Sequence, residues 1–550
     1  MATGIDLLVV LALPNAPLPL PVVLVGNLLA LFGFVAFRYR SRLASSLLWR
    51  WKAVVLREFP KLRTRVLIIG AGESGQTLAW RLKHRFSNGN YQVVGFIDDD
   101  PDKQNMYVEG CRVIGTRKDI VRLAEALNVD IIVVAVHNIT GRDFRDVLTA
   151  CENTSALIKV VPHLEAALIN TKESASLLRD VQAEDLIGRS PVSRHEGVDL
   201  SAVMNKVILI TGAAGSIGSE LCRQIMQYNP TKAILLDNNE SGLHDLVTEL
   251  RARHPEVDFE PALVDIWSRS SLRALYERHH PQIVFHAAAY KHVPMLELYP
   301  LEALRVNIGG TRNVAELARD FHVERFVLIS TDKAVNPTSI MGASKRICEL
   351  LLLGLAQRPD CRTLFSSVRF GNVLGSRGSV VPTFNRQIDN GGPVTVTHQD
   401  MTRYFMSIPE AVNLIIHAAC LTQGNDIFVL RMGEDVRIVE LAERMIRLRG
   451  LRPYKDIEIQ FTGIRPGEKM HEDLFHSEEQ PVETIHPNIL KVDNGSEDVN
   501  WGAFWAGVDQ LTRESIDSQT NVLGRLLELI APAQHQAVDD QTDDTNVPVR

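Results

Sequence analysis

The chain has 550 residues, more than one ordinary hydrophobic core organises, so two or three domains are expected. Its composition, 45% hydrophobic and 23% charged, is that of a globular protein, and a net charge of −7 argues against nucleic-acid binding, which needs a basic face. Six scattered cysteines (Cys111, Cys151, Cys222, Cys348, Cys361 and Cys420) lack metal-ligand or redox spacing; they read as reduced core thiols, and no metal site is expected.

The N-terminus differs from the rest. Residues 7–37 carry no charged side chain, and Pro14, Pro17, Pro19 and Pro21 break their first half. The run Leu20–Phe37 approaches the ~20 apolar residues that span a bilayer. Arg38, Arg40, Arg42, Arg50 and Lys52 follow, with Trp49 and Trp51 among them. Basic residues flank the cytoplasmic end of a span, so this pattern predicts one membrane helix with everything after it in the cytoplasm. The stretch 38–57 is expected along the membrane surface. A buried soluble helix is the alternative. A signal peptide fits less well, because the basic cluster follows the apolar run.

Two later segments share one layout. Arg65–Gly70 (RVLIIG) reads as a buried strand leading into Gly70-Ala-Gly72-Glu-Ser-Gly75 and a helical pattern. Strands follow at Tyr91–Ile97, ending in Asp98-Asp99-Asp100, and at Asp130–Val136. The second copy starts at Asn205 with the strand Lys206–Ile210, the turn Thr211-Gly212-Ala-Ala-Gly215-Ser-Ile-Gly218 and a helix. Further strands are predicted at Lys232–Leu236, Gln282–Phe285 and Arg325–Ile329. This alternation predicts an α/β fold: two Rossmann-like, doubly wound parallel-sheet domains in tandem, preceded by the membrane helix. The expected layout is a membrane-anchoring segment over 1–60, a first Rossmann-like domain over 61–185 and a linker over 186–204. A catalytic domain over 205–495 follows, with its substrate-binding part at the C-terminal end. Residues 496–550 are expected to form a helix and then an acidic, disordered tail from about 533.

The two glycine motifs carry unequal weight. Around Gly70 the strand–turn–helix context is right, but no chemistry-bearing residues follow. That unit reads as structural or regulatory, with a bound nucleotide as the alternative. The second motif has more support. Gly212, Gly215 and Gly218, with Ser216 and Ile217, form a turn whose backbone can approach a pyrophosphate at a helix N-terminus. Asp237 follows Gly218 by 19 residues. A carboxylate there accepts both ribose hydroxyls and repels a 2′-phosphate, so NAD is the expected cofactor. Asp265 and Ile266 close the next strand and could flank the adenine; an ordinary strand-end aspartate is the equal alternative.

From here the residues resemble the extended short-chain dehydrogenase/reductase superfamily. The T-G-x-x-G-x-x-G turn is its signature form. Ala287, Ala288 and Ala289 after His286 resemble its segment beside the nicotinamide ribose, and Asn307 its helix-kink asparagine. Longer strings narrow the match: Ala288-Ala-Tyr-Lys291-His292-Val-Pro294, Thr331-Asp332-Lys333-Ala-Val-Asn336-Pro337, Arg369-Phe-Gly371-Asn372-Val-Leu-Gly375-Ser376-Arg377-Gly378 and Arg465-Pro466-Gly467-Glu468-Lys469. Together they look like the membrane-associated UDP-N-acetylglucosamine 4,6-dehydratases of bacterial polysaccharide and glycan biosynthesis, over roughly residues 60–490. That family carries several membrane helices first. This chain has room for about one, which reads as a short form or a late start.

The resemblance implies attachment to the bacterial inner membrane, a UDP-sugar substrate and a homo-oligomer. It also implies a reaction with no net redox change. Hydride leaves C4 of the sugar, water is lost across C5 and C6, and hydride returns to C6. By resemblance, Asp332 is the acid at O6, Lys333 the C5 base, and Thr331 the partner of the 4-hydroxyl. A surface Asp–Lys ion pair is the bland alternative. Met341 stands where the superfamily has the tyrosine of Tyr-x-x-x-Lys. Lys345, four residues on, shares its helix face and can still reach the nicotinamide ribose. Met341 cannot carry a proton, which leaves the acceptor of the 4-hydroxyl proton open among Asp332, a water on Lys345 and, more weakly, Tyr290. Asn372, Arg403 and Arg465 resemble the family's diphosphate contacts, for which guanidinium forks are suited. Glu468 is expected at the ribose or uracil, and Lys291 and His292 near the sugar. His292 also reads as an exposed loop histidine. Two other functions compete: a 4-epimerase, which would keep the tyrosine and not need Asp332–Lys333, and a non-catalytic nucleotide-sugar sensor, for which Met341 is the best support.

Overall fold

A computed structural model describes residues 25, 26, 28, 29, 33, 63–84, 91–136, 141–161, 179–180, 197–493, 499–513 and 521–531. Among these residues no helix is long and apolar enough to cross a membrane. This corrects the expected membrane helix, and with it the membrane partner and the inner-membrane localisation. A span needs ~20 apolar helical residues, and only five residues of Leu20–Phe37 are described, all helical. The rest of that run, the stretch 38–57, residues 186–196 and the tail from 533 lie outside the described residues.

The first unit is a seven-stranded sheet. Its five central strands are parallel, in the spatial order Cys111–Gly115, Tyr91–Ile97, Thr64–Ile69, Ile131–Val134, Leu157–Val160. Tyr107–Val108 and Arg179–Asp180 add antiparallel edges. Ile131–Val134 is buried throughout. A strand covered on both faces has no solvent side to alternate with, so it reads as a continuous apolar run.

The second sheet has nine strands. Seven are parallel, in the order Phe259–Leu263, Lys232–Asp237, Val207–Thr211, Ile283–His286, Arg325–Ile329, Leu364–Arg369, Asp426–Leu430. Ile489–Asp493 and Gln480–Glu483 continue it antiparallel. The order reverses beside Val207–Thr211, and ligands in such sheets bind outside the strand ends at that point. The two tandem Rossmann-like sheets agree with the fold read from sequence. None of the six cysteines is in a disulfide, and only Cys151, Cys222 and Cys348 are buried; the others are partly exposed.

Two helical features position the site. Ile340–Ala356 is buried along almost its whole length, with Trp501–Arg513 and Val522–Ile530 covering its outer side. Burial all round explains the apolar run Leu350–Ala356 in its second half in place of an amphipathic stripe. The Ser339 side chain caps it, accepting from Gly342 N at 3.1 Å. Ala303–Gly310 is a π-helical turn, a form common beside functional sites. Asn307 within it accepts from Tyr290 N at 2.9 Å and donates to Tyr290 O and Ser344 Oγ, each at 3.0 Å.

A buried ion network joins these elements beneath the strand ends. Arg369, at 0% exposure, gives a two-pronged contact to Glu349 at 2.8 and 2.7 Å and a third bond to Glu479 at 2.7 Å. Glu349 also accepts from Ser330 Oγ at 2.6 Å and from Arg346 at 3.1 Å. Burial opposes the charge on Glu349, yet the Arg369 and Arg346 guanidiniums and Ser330 bring its pKa down to about 2. Removing one member strands a buried charge, so Glu349→Gln is expected to cost about 3–5 kcal/mol in urea unfolding at neutral pH. The folded pKa is depressed, so this stabilisation is present above the ordinary value of 4.5 and is lost as pH falls toward 2. The gap between the wild type and the variant should close across that window.

Candidate active site

The crevice at the strand ends encloses about 680 Å³, ample for a dinucleotide fragment and a sugar. One side is the glycine turn. Strand Val207–Thr211 runs into it, and helix Ser216–Ile225 leaves it. Gly212 has φ +70°, and a Cβ there would sit 2.6 Å from Ala288 N. A Cβ on Gly218 would sit 1.9 Å from Gly212 O. Only glycine fits either position, and the turn is left as a bare backbone cradle at a helix N-terminus. Asp237 ends its strand beside this turn, its carboxylate accepting from Ala214 N at 2.8 Å and Asn239 N at 2.9 Å. The cradle fits a diphosphate and Asp237 fits an unphosphorylated ribose, so NAD is the cofactor this site takes.

The opposite wall carries groups that can hold or move a proton. Strand Arg325–Ile329 ends at Ser330, and Asp332–Ala334 forms a short 3₁₀ turn capped by Thr331. Thr331 Oγ1 donates to Asp332 Oδ1 at 2.9 Å, and Lys333 Nζ donates to the same oxygen at 3.0 Å. Lys333 also donates to Asn372 Oδ1 at 3.2 Å. Burial works against the Lys333 charge, but Asp332 and Glu472 raise its pKa above the ordinary value. Met341 and Lys345 face the cavity from the buried helix. Burial is the main cause lowering the Lys345 pKa.

The cavity brings together most of the residues singled out from sequence. Gly212, Gly215, Ser216, Ile217, Gly218, Ala287, Ala289, Lys291, His292, Thr331, Lys333, Met341, Lys345, Asn372, Arg403, Arg465 and Glu468 all line it. Asp237, Asp265, Ile266, Ala288, Asn307 and Asp332 are not in its wall. Asp332 is fully buried and reaches the cavity through Thr331 and Lys333. Asn307 is spent on Tyr290 and Ser344. Asp265 pairs with Trp267 N, and Ile266 packs where a side chain on Gly310 would go. Arg403 donates to the carbonyls of Thr402, Lys469 and Met470, clamping the loop that carries Arg465 and Glu468. Glu472 lines the same wall and escaped the sequence reading, because its partners lie far away along the chain.

Residues 208–494 match the family model described as "Polysaccharide biosynthesis protein", and residues 30–162 match one described as "CoA-binding domain". The chain belongs to the polysaccharide biosynthesis protein family. It is 45% identical to the probable polysaccharide biosynthesis protein EpsC of Bacillus subtilis, over 78% of this chain and 71% of that one. It is 41% identical to the capsular polysaccharide biosynthesis protein CapD of Staphylococcus aureus, over 81% and 74%. A UDP-glucose 4-epimerase of Rickettsia canadensis is 33% identical over 55% of this chain and 87% of its own. This member of the family is an NAD-binding, nucleotide-sugar-modifying enzyme of the epimerase/dehydratase type. The findings correct the narrower resemblance drawn from sequence: they carry the polysaccharide-biosynthesis superfamily, not a membrane-associated branch of it.

Because Asp237 is fixed by two backbone donors, Asp237→Ala should weaken NAD binding about tenfold or more. The same change should narrow the preference over NADP. Fluorescence titration with the two reduced cofactors measures both.

Proposed function

We propose that the protein is a nucleotide-sugar 4,6-dehydratase acting on UDP-N-acetylglucosamine. The observation that carries this reading is the Thr331–Asp332–Lys333 cluster, in which a hydroxyl and an ammonium converge on one buried carboxylate oxygen. A 4-epimerase has no elimination to perform and needs no such acid–base pair. When bound, NAD supplies a reversible hydride acceptor, so the sequence of steps closes without net oxidation. The Gly212–Gly218 turn and Asp237 would hold its diphosphate and adenosine ribose, and Lys345 its nicotinamide ribose. Arg465 and Asn372 are suited to the substrate diphosphate, and Glu468 to its ribose or base.

Thr331 faces the cavity and accepts a hydrogen bond from the sugar 4-hydroxyl in this reading. Its own hydroxyl proton already points to Asp332, so the proton leaving O4 passes through Thr331 to that carboxylate. Met341 takes no part in proton transfer. Once C4 is a ketone the C5 proton is acidic, and Lys333, as the free amine, removes it. Asp332 then returns its proton, through Thr331, to the departing O6, and water leaves. Lys333 gives a proton back to C5 after hydride has reached C6. General acid–base help of this kind is worth about 10²–10⁴-fold per group.

Full-length protein incubated with NAD and UDP-N-acetylglucosamine in deuterated water should give a 4-keto-6-deoxy product carrying deuterium at C5, read by NMR. Asp332→Asn and Lys333→Ala should each slow turnover by ~100-fold or more. A product that is only the C4 epimer would replace this reading with an epimerase. Tight binding of NAD and UDP-sugar without turnover would replace it with a sensor.

A further inference from the structure

The cavity wall near Lys333 holds a second carboxylate. Glu472 lies in the loop after Lys469, and its side chain is 2% exposed. Its Oε1 is 3.5 Å from Lys333 Nζ and 3.8 Å from Arg403 Nε. Its Oε2 is buried with no hydrogen-bond partner among the described residues, and so is Oδ2 of Asp332. Arg403 Nη1 and Nη2 are taken by the carbonyls of Thr402, Lys469 and Met470, and its Nε faces the Glu472 carboxylate. Lys333 therefore stands between two buried carboxylates, each of which keeps one oxygen without a hydrogen-bond partner among the described residues.

That placement creates a difficulty for a base. An ammonium cannot accept a proton, and two flanking carboxylates hold Lys333 in its ammonium form. Burial, with Asp332 adding to it, pushes the Glu472 carboxyl up, against the pull of Lys333, Arg403 and Lys469. An ammonium–carboxylate pair and an amine–carboxylic acid pair differ by one proton moved between neighbours. Both have the same net charge, and the neutral pair avoids two buried charges.

We propose that Glu472 is the acceptor that arms Lys333: a proton moves from Nζ to Oε1, leaving an amine toward the substrate and a neutral carboxyl behind it. The inference rests on the dehydratase reading above. The proton balance closes. The amine takes the C5 hydrogen and becomes an ammonium whose hydrogens exchange with solvent, returns one of them to C5 after hydride reaches C6, and then recovers its first proton from Glu472. The gap of 3.5 Å is of the loose kind that tightens when substrate fills a site. Glu472 acts through Lys333 and touches no reacting atom.

The test is a pH profile. Transfer inside the pair changes no net charge, so the armed fraction in the wild type does not follow pH. With Glu472→Gln the amine must form by losing a proton to solvent, so its population rises about tenfold per pH unit below the Lys333 pKa. The groups facing the pair (Asp332, Asn372, Arg403 and Lys469) are the same in both proteins. The readout is C5 deuterium exchange, followed by NMR on full-length protein with NAD and UDP-N-acetylglucosamine from about pH 6 to pH 9. E472Q should exchange ~30-fold more slowly at neutral pH and climb about tenfold per pH unit, while the wild type stays nearly flat. Reduced cofactor formed in the first step should stay within about threefold of the wild type, which separates the relay from a lost fold. E472Q with a wild-type pH profile would overturn the proposal, whatever its KM. If E472Q does not hold NAD, E472D decides alone: a flat profile supports the relay and a tenfold rise per unit overturns it. A wild type that never exchanges C5 would instead overturn the dehydratase reading.

Discussion

Arg369 sits at the end of a central strand with no exposure to water, and a guanidinium can stay there only if its charge and its donors are all answered. Glu349 and Glu479 answer them, one from the helix that carries Met341 and Lys345, the other from the segment after Glu472. Ser330, one residue before Thr331, bonds to the same Glu349. One buried charge thus fixes the relative positions of the strand end that leads to Thr331, the helix that carries Lys345 and the segment after Glu472. A wall of apolar side chains would fill the same volume but tolerate sliding. Three directional bonds on one guanidinium do not.

The same local device occurs twice in the chain, with different consequences. Asp98 accepts from Ala71 N at 2.8 Å and Asp100 N at 3.0 Å, which is the geometry of Asp237. In the first unit, however, Lys103 lies 3.3 Å from Asp98, and Arg117 pairs with Asp99 and with Asp143. Glu73 stands in the first helical turn, where the second unit has Ser216. The cations there are already paired, and a carboxylate faces the place where a phosphate would gain from the helix N-terminus. The turn geometry is shared. The electrostatics that would hold a diphosphate belong to the second unit.

This contrast explains what could be read from sequence. Strand–turn–helix alternation is local, so both sheets were legible, as were Gly212, Gly218 and the strand-end Asp237 and Thr331–Lys333. The spacing of Gly70 to Asp98 was just as legible, but the neutralising Lys103 carries no signal without coordinates. Glu472 and the pairing of Arg369 escaped for a related reason: Glu472 meets Lys333 across 139 residues of chain, and Arg369 meets Glu479 across 110. Neither loop nor strand periodicity reports such pairings. Asn307 was legible as a special position but not for its partners, the backbone of Tyr290 and the Ser344 hydroxyl. The apolar run Leu20–Phe37 shows the opposite error. Hydropathy measures apolarity, whereas a span also requires one unbroken helix of sufficient length, and no described helix meets that requirement.

Met341 ties these observations together. A tyrosine at that position would share the proton traffic between two walls of the cavity, with the buried Lys345 beside it to stabilise a phenolate. Methionine removes that route and leaves Lys345 with no acid to assist. In the dehydratase reading the proton released at the sugar leaves by the Thr331 side, and the later protons are found there as well. In that reading one wall stores protons, donates them and still presents a base. A single carboxylate cannot do all three at once. Two buried carboxylates around one lysine can, because the lysine exchanges with either without a change in net charge. The carboxylates of Asp332 and Glu472 lie buried on either side of Lys333, a grouping that the dehydratase reading needs once Met341 cannot carry a proton.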